Sequence, residues 1–155
     1  MQLLLVHDNL VTQKLFQRIG GRLECDVHVI GSGPAVLDYL AMAPTRPDII
    51  FMKTSLPGIS GYEVVRMIRT QPPFCNDPQL QMTPIIGLTA STVGTNLSRE
   101  RASGYNDFLR SPLRINDVAK TIAHWSRRQI MGPTEVTPSQ LKMWHRHHRG
   151  PRSRM

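Results

Sequence analysis

Apolar and polar positions come in blocks along this chain, and the blocks change period. Residues 3–6 (LLLV) form a short apolar run that stops at His7-Asp8-Asn9, after which Val11, Leu15, Ile19 and Leu23 recur at helical spacing up to and past Gly20-Gly21. A strand followed by an amphipathic helix is the reading, with that stripe as its apolar face. Val27, Val29 and Ile30 then make a second strand closed by Gly31-Ser32-Gly33, and Val36, Leu37, Leu40 and Ala41 mark a second helix that ends before Pro44.

Asp48 opens residues 49–52 (IIFM), apolar on consecutive positions, as expected of a strand covered on both faces in the middle of a parallel sheet. A third helix follows Pro57-Gly58 through Val64, Val65, Met67 and Ile68. The next stretch, TQPPFCNDPQLQM, carries Pro72, Pro73 and Pro78 and is predicted to be a loop without regular structure. Residues 83–90 (TPIIGLTA) read as a fourth strand, 96–103 as a fourth helix, 107–109 as a short fifth strand and 115–128 as a fifth helix with Val118, Ile122 and Trp125 on one face.

Strands that alternate with helices imply right-handed crossovers and a parallel sheet covered on both sides, an α/β architecture. In such sheets the ligand site lies beyond the carboxyl ends of the strands, so the residues to watch are His7-Asp8, Lys53, Thr89-Ala90-Ser91 and Ser111-Pro112. Four short polar clusters should converge on one pocket.

Length and charge narrow the picture. A chain of 155 residues suits one domain. The net charge of +8 is concentrated at one end, because residues 1–125 carry 12 Lys or Arg against 10 Asp or Glu while residues 126–155 carry 7 against 1. A nearly neutral domain over 1–128 and a basic, disordered tail over 129–155 follow. No apolar run approaches the roughly 18 residues of a membrane span and no secretory signal is visible, so the expectation is a cytoplasmic protein, with the nucleus as the alternative. Cys25 and Cys75 share no metal-ligand spacing and are read as reduced thiols.

The segments LLLVHDN, DIIFMKTSLPGISGYE, TPIIGLTAS and GYNDFLRSPL, in that order and spacing, resemble the receiver domain of two-component response regulators over residues 2 to 128. The texture around IRTQPPFCNDPQLQMTPIIGLTAS looks most like receivers attached to hybrid histidine kinases, fungal ones among them. The resemblance implies a flavodoxin-like, doubly wound (βα)5 fold with strand order 2-1-3-4-5. It also implies a phosphorelay chemistry: an acidic pair after the first strand holds magnesium and an aspartate after the third takes phosphate from a phosphohistidine. A hydroxyl after the fourth strand and a lysine before proline after the fifth grip the phosphoryl oxygens.

Carried over position by position, the resemblance keeps Asp8 of the acidic pair, Thr89 at the hydroxyl position and Phe108 at the switching aromatic. His7 stands at the other acidic position, Lys53 at the phosphoacceptor position and Ser111 at the lysine position before Pro112. Arg110 is a neighbour of Ser111, but adjacent side chains on a strand point to opposite faces, so it is no ready substitute. An ammonium at position 53 would relieve carboxylate crowding by pairing with Asp8, a structural role that needs no chemistry. The alternative, a nucleophilic or Schiff-base lysine, lacks an evident carbonyl substrate. His7 beside Asp8 falls short of a metal site, and neither a metal nor another cofactor is expected. Thr89 and Phe108 are either sheet-end packing or a retained two-state switch, and Thr54 and Ser55 are exposed hydroxyls open to an unrelated kinase.

The function expected is that of an atypical receiver acting by phosphorylation-independent protein–protein interaction, with no catalytic residue. Its partner would be a histidine kinase, a phosphotransfer protein or an effector. The resemblance places the partner or homodimer surface at residues 96–128. Two rivals stand beside this reading: a relay receiver that takes phosphate through an unusual residue, and a nucleic-acid or acidic-surface binder using His145, Arg146, His147, His148, Arg149, Arg152 and Arg154 of the tail.

Overall fold

The computed structural model describes residues 1–43, 46–90 and 102–131, with side chains of the last helix through Ser126. Five strands, β1 (Gln2–Val6), β2 (Asp26–Ile30), β3 (Ile49–Lys53), β4 (Ile85–Thr89) and β5 (Asp107–Arg110), form one sheet in the order β2-β1-β3-β4-β5. Every neighbouring pair is parallel. The helices are α1 (Leu10–Leu23), α2 (Gly33–Met42), α3 (Gly61–Thr70), a short α4 (Pro78–Met82) and α5 (Ile115–Met131). This is the α/β, flavodoxin-like arrangement.

The two-residue period of a strand sorts the core into two layers. Leu4, Val6, Ile50, Met52 and Ile85 point to one face and pack with Val36 and Leu40 of α2 and Val64, Val65 and Ile68 of α3. Leu3, Leu5, Ile49, Phe51 and Leu88 point to the other, where Phe16 and Ile19 of α1 and Val118, Ile122 and Trp125 of α5 cover them. Burial on both faces explains the unbroken apolar runs of β1 and β3.

Local signals start the helices. Asn9 caps α1 by accepting from the amides of Val11 and Thr12, Ser32 caps α2 and Ser60 caps α3. The apolar face of α1 differs from expectation, since Val11 and Leu23 are exposed and Phe16, Ile19 and Gly20 are buried. Val11 lies in the first turn, and the stripe rotates away from the sheet over the length of the helix. Gly20 allows a close approach to the sheet, because a Cβ there would stand 2.6 Å from Cγ2 of Val27.

The proline-rich stretch is also corrected. It contains a 3-10 turn at Phe74–Asn76 and then α4, with Pro78 in the first helical turn, where its missing N–H costs nothing. Asp77 caps α4 by accepting from Leu80 N at 3.0 Å. Arg46 holds the same carboxylate at 2.7 Å, and the buried Phe74 and Leu80 anchor the segment.

Arg69, near the end of α3, ties this segment to the approach to β5. Its guanidinium donates to the carbonyls of Leu80, Gln81, Thr83 and Gly104 and to Oδ1 of Asn106. The fourth helix expected over 96–103 lies outside the described residues except at its last two positions, and residues 132–155 of the tail lie outside them entirely. Among the described residues no helix is long and apolar enough to cross a membrane.

Candidate functional site

The carboxyl ends of β1, β3 and β4 and the turn after β5 meet around a cleft of about 340 Å³. His7, Lys53, Thr89 and Ser111 line its polar side; Arg110 does not line it. Val11, Leu15, Leu88 and Leu113 also line it, an apolar contribution with no signal in the strand-end pattern. Register brings the parts together: Lys53 lies opposite Leu88, and Thr89 opposite Arg110, one residue before Ser111.

Lys53 is the last residue of β3, and its Nζ stands 3.0 Å from Oδ1 of Asp8 across the neighbouring strand end. Both side chains are partly exposed, 32% for Lys53 and 39% for Asp8. The hydrogen bond from Lys53 holds the Asp8 carboxyl below the usual carboxylate range.

His7 is buried, at 8% exposure. Its Nδ1 accepts from the backbone amide of Asn9 at 3.1 Å, and its carbonyl accepts from Nε2 of Gln13 at 2.7 Å. Burial lowers the imidazole pKa, the Lys53 charge lowers it further, and Asp8 opposes both. At neutral pH the ring is therefore neutral, with its proton on Nε2. The Asn9 and Gln13 contacts left no signal in the sequence pattern.

Phe108 lies apart from the cleft. Its ring is buried at 5.0 Å from that of Tyr105 and covers Gly87, its register partner, where a Cβ would meet the ring at 2.5 Å. Thr54 is buried, so only Ser55 of the two loop hydroxyls is exposed.

The donor set around Asp8 does not fit magnesium. A hard divalent cation needs several oxygen ligands, usually with one or two carboxylates. Here Asp8 is the one carboxylate at this strand end among the described residues, an ammonium already engages it, and the neighbouring side chain is an imidazole. Among the described residues no three His, Cys, Asp or Glu side chains come together as a metal site would require.

Comparison with known proteins agrees with the fold. The chain is 28% identical over 134 residues to the two-component response regulator ARR17 of Arabidopsis thaliana, covering 80% of this chain and 84% of that one. It is similar to the receiver domain of the sensor histidine kinase PA1611 of Pseudomonas aeruginosa, a structure with a magnesium ion in its active-site cleft. That match has 26% identity and a TM-score of 0.67 and covers 82% and 98% of the two chains. A chain from the Saccharomyces cerevisiae complex of the histidine phosphotransfer protein Ypd1 with the receiver domain of Ssk1 shares the fold at TM-score 0.71 and 23% identity, covering 83% and 90%. The family profile described as response regulator receiver domain matches residues 3–123, and the chain belongs to that family of two-component and phosphorelay signalling modules.

Proposed function

We propose that this receiver has lost aspartyl phosphorylation and signals by binding a partner protein. The observation that carries the reading is the Lys53–Asp8 pair: an ammonium stands at the end of β3, where the family resemblance implies the phosphate-accepting carboxylate, and it engages the remaining acidic residue at 3.0 Å. A positive charge fixed within the domain takes the place of the divalent cation and removes the nucleophile in one substitution. The phosphate clamp is reduced as well, since Ser111 offers a hydroxyl where the resemblance implies an ammonium.

The partner is a signalling protein, a histidine kinase, phosphotransfer protein or effector, and it binds the surface spanning residues 96–128, of which β5 and α5 are described. The Ypd1–Ssk1 complex supports a phosphotransfer protein as one such partner for this fold. A homodimer through the same surface is the second arrangement to test.

Magnesium titration of the isotope-labelled protein tests the loss of the metal site. At millimolar magnesium the amide signals of Asp8 and Lys53 should not show a saturable shift. A saturable shift confined to the cleft would overturn the proposal.

A further inference from the structure

Among the described residues, the cleft presents more hydrogen-bond donors than find acceptors. The Lys53 ammonium has three N–H bonds and, among the described residues, one acceptor, Asp8 Oδ1. The hydroxyls of Thr89 and Ser111, on the same cleft, have no partner among those residues. The imidazole of His7 uses Nδ1 as an acceptor for the Asn9 amide, which leaves its Nε2–H as a further donor.

Val11, Leu15, Leu88 and Leu113 add apolar lining to the same cleft. A volume of about 340 Å³ is at the small end of the range for ligand sites, and an apolar wall with a few convergent polar groups is their usual composition. Charge selects among anions. Asp8 offsets the single positive charge of Lys53, so the pair is neutral overall and a dianion would find one shared cation and a nearby carboxylate. A monoanion can take the two remaining ammonium N–H bonds and a hydroxyl while its apolar body covers the leucine side.

We propose that this cleft is a non-covalent binding site for a small monocarboxylate on an apolar body. The proposal rests on the reading that the site is not phosphorylated, and it adds a ligand class to it: the domain would report a small organic acid to its protein partner.

Benzoate is a suitable probe for the full chain labelled with nitrogen-15. The expected result is a saturable shift of the amides of Lys53, Leu88, Thr89 and Ser111, with a dissociation constant of about 1 mM or tighter. Inorganic phosphate and sulfate should bind at least about tenfold more weakly, as the charge argument requires. Lys53→Met should weaken benzoate at least about tenfold. Thr89→Val, which keeps the side-chain shape, should weaken it about threefold and serves if the first variant does not fold. Absence of a saturable benzoate shift, equal or tighter phosphate binding, or unchanged benzoate affinity in the variants would overturn the carboxylate site. A parallel mass measurement after acetyl phosphate separates the two readings. An unmodified chain that ignores benzoate sinks this proposal alone, whereas an added phosphoryl group sinks the underlying reading with it.

Discussion

Lys53 Nζ and Asp8 Oδ1 lie 3.0 Å apart at the carboxyl ends of adjacent strands, 45 residues apart in sequence, so the last side chain of β3 supplies the counter-ion for the residue that follows β1 by two positions. The pair is partly exposed, and such pairs contribute modestly, on the order of 1 kcal/mol or less.

Lys53→Asp should therefore destabilise through repulsion as well as loss of the pair. Two carboxylates would then share the strand ends without a cation. We expect a loss of about 1 to 2 kcal/mol in magnesium-free buffer, read from the urea midpoint. Combining it with Asp8→Asn should restore most of the loss, because the second change removes the repulsion. An unchanged midpoint in the single variant would mean that the pair does not form in solution.

Acidification should act through His7. Its folded-state pKa lies below the unfolded value of 6.5, chiefly because of burial, so the unfolded chain binds the proton more readily. The His7 contribution is fully present above 6.5 and declines as pH falls from there towards the lowered folded-state value. Denaturation midpoints measured from about pH 7.5 to pH 5 should fall, and His7→Asn, which retains an acceptor for the Asn9 amide, should flatten that slope. An identical pH dependence in the variant would contradict the neutral, buried imidazole.

Much of the fold was legible because strands buried on both faces leave runs such as IIFM, and because apolar positions at helical spacing mark the helices between them. The stretch from 70 to 82 departs from the loop expectation because proline breaks a helix only in its interior. Pro78 instead sits at a helix start, where only the preceding Asp77 announces it. The buried face of α1 departs from the Val11, Leu15, Ile19, Leu23 stripe because a strict four-residue spacing drifts around a 3.6-residue helix. At the site, the converging positions could be read from strand ends, since topology alone puts those ends together. The apolar wall and the His7 hydrogen bonds could not, because they depend on how the first turn of α1 and Leu113 sit around the cleft.

Arg69 had no sequence signal either, and it yields a separate prediction. Burial lowers its pKa to about 10, which leaves it charged at neutral pH with five neutral acceptors and no carboxylate among them. Arg69→Lys can satisfy at most three of them, so a loss of about 2 kcal/mol is expected in the unfolding free energy. A loss below about 0.5 kcal/mol would mean that water replaces the guanidinium without penalty.

On the proposed reading, a carboxylate at position 53 should not by itself give phosphoryl transfer. Lys53→Asp regains a carboxylate but still lacks a full acidic pair and the ammonium at position 111, and each such electrostatic element is typically worth on the order of 3 kcal/mol in the transition state. The single variant should remain nearly silent towards acetyl phosphate. The triple variant His7→Asp, Lys53→Asp, Ser111→Lys should gain magnesium-dependent phosphorylation if the strand ends keep their present positions. A triple variant that folds but stays unmodified would show that other parts of the cleft have diverged too.

The most direct measurement is the intact mass of the wild-type chain after incubation with acetyl phosphate and magnesium, and separately with a phosphorylated histidine phosphotransfer protein. With Lys53 paired to Asp8 at the end of β3, the mass should not change in either case. A chain carrying one added phosphoryl group would contradict the account.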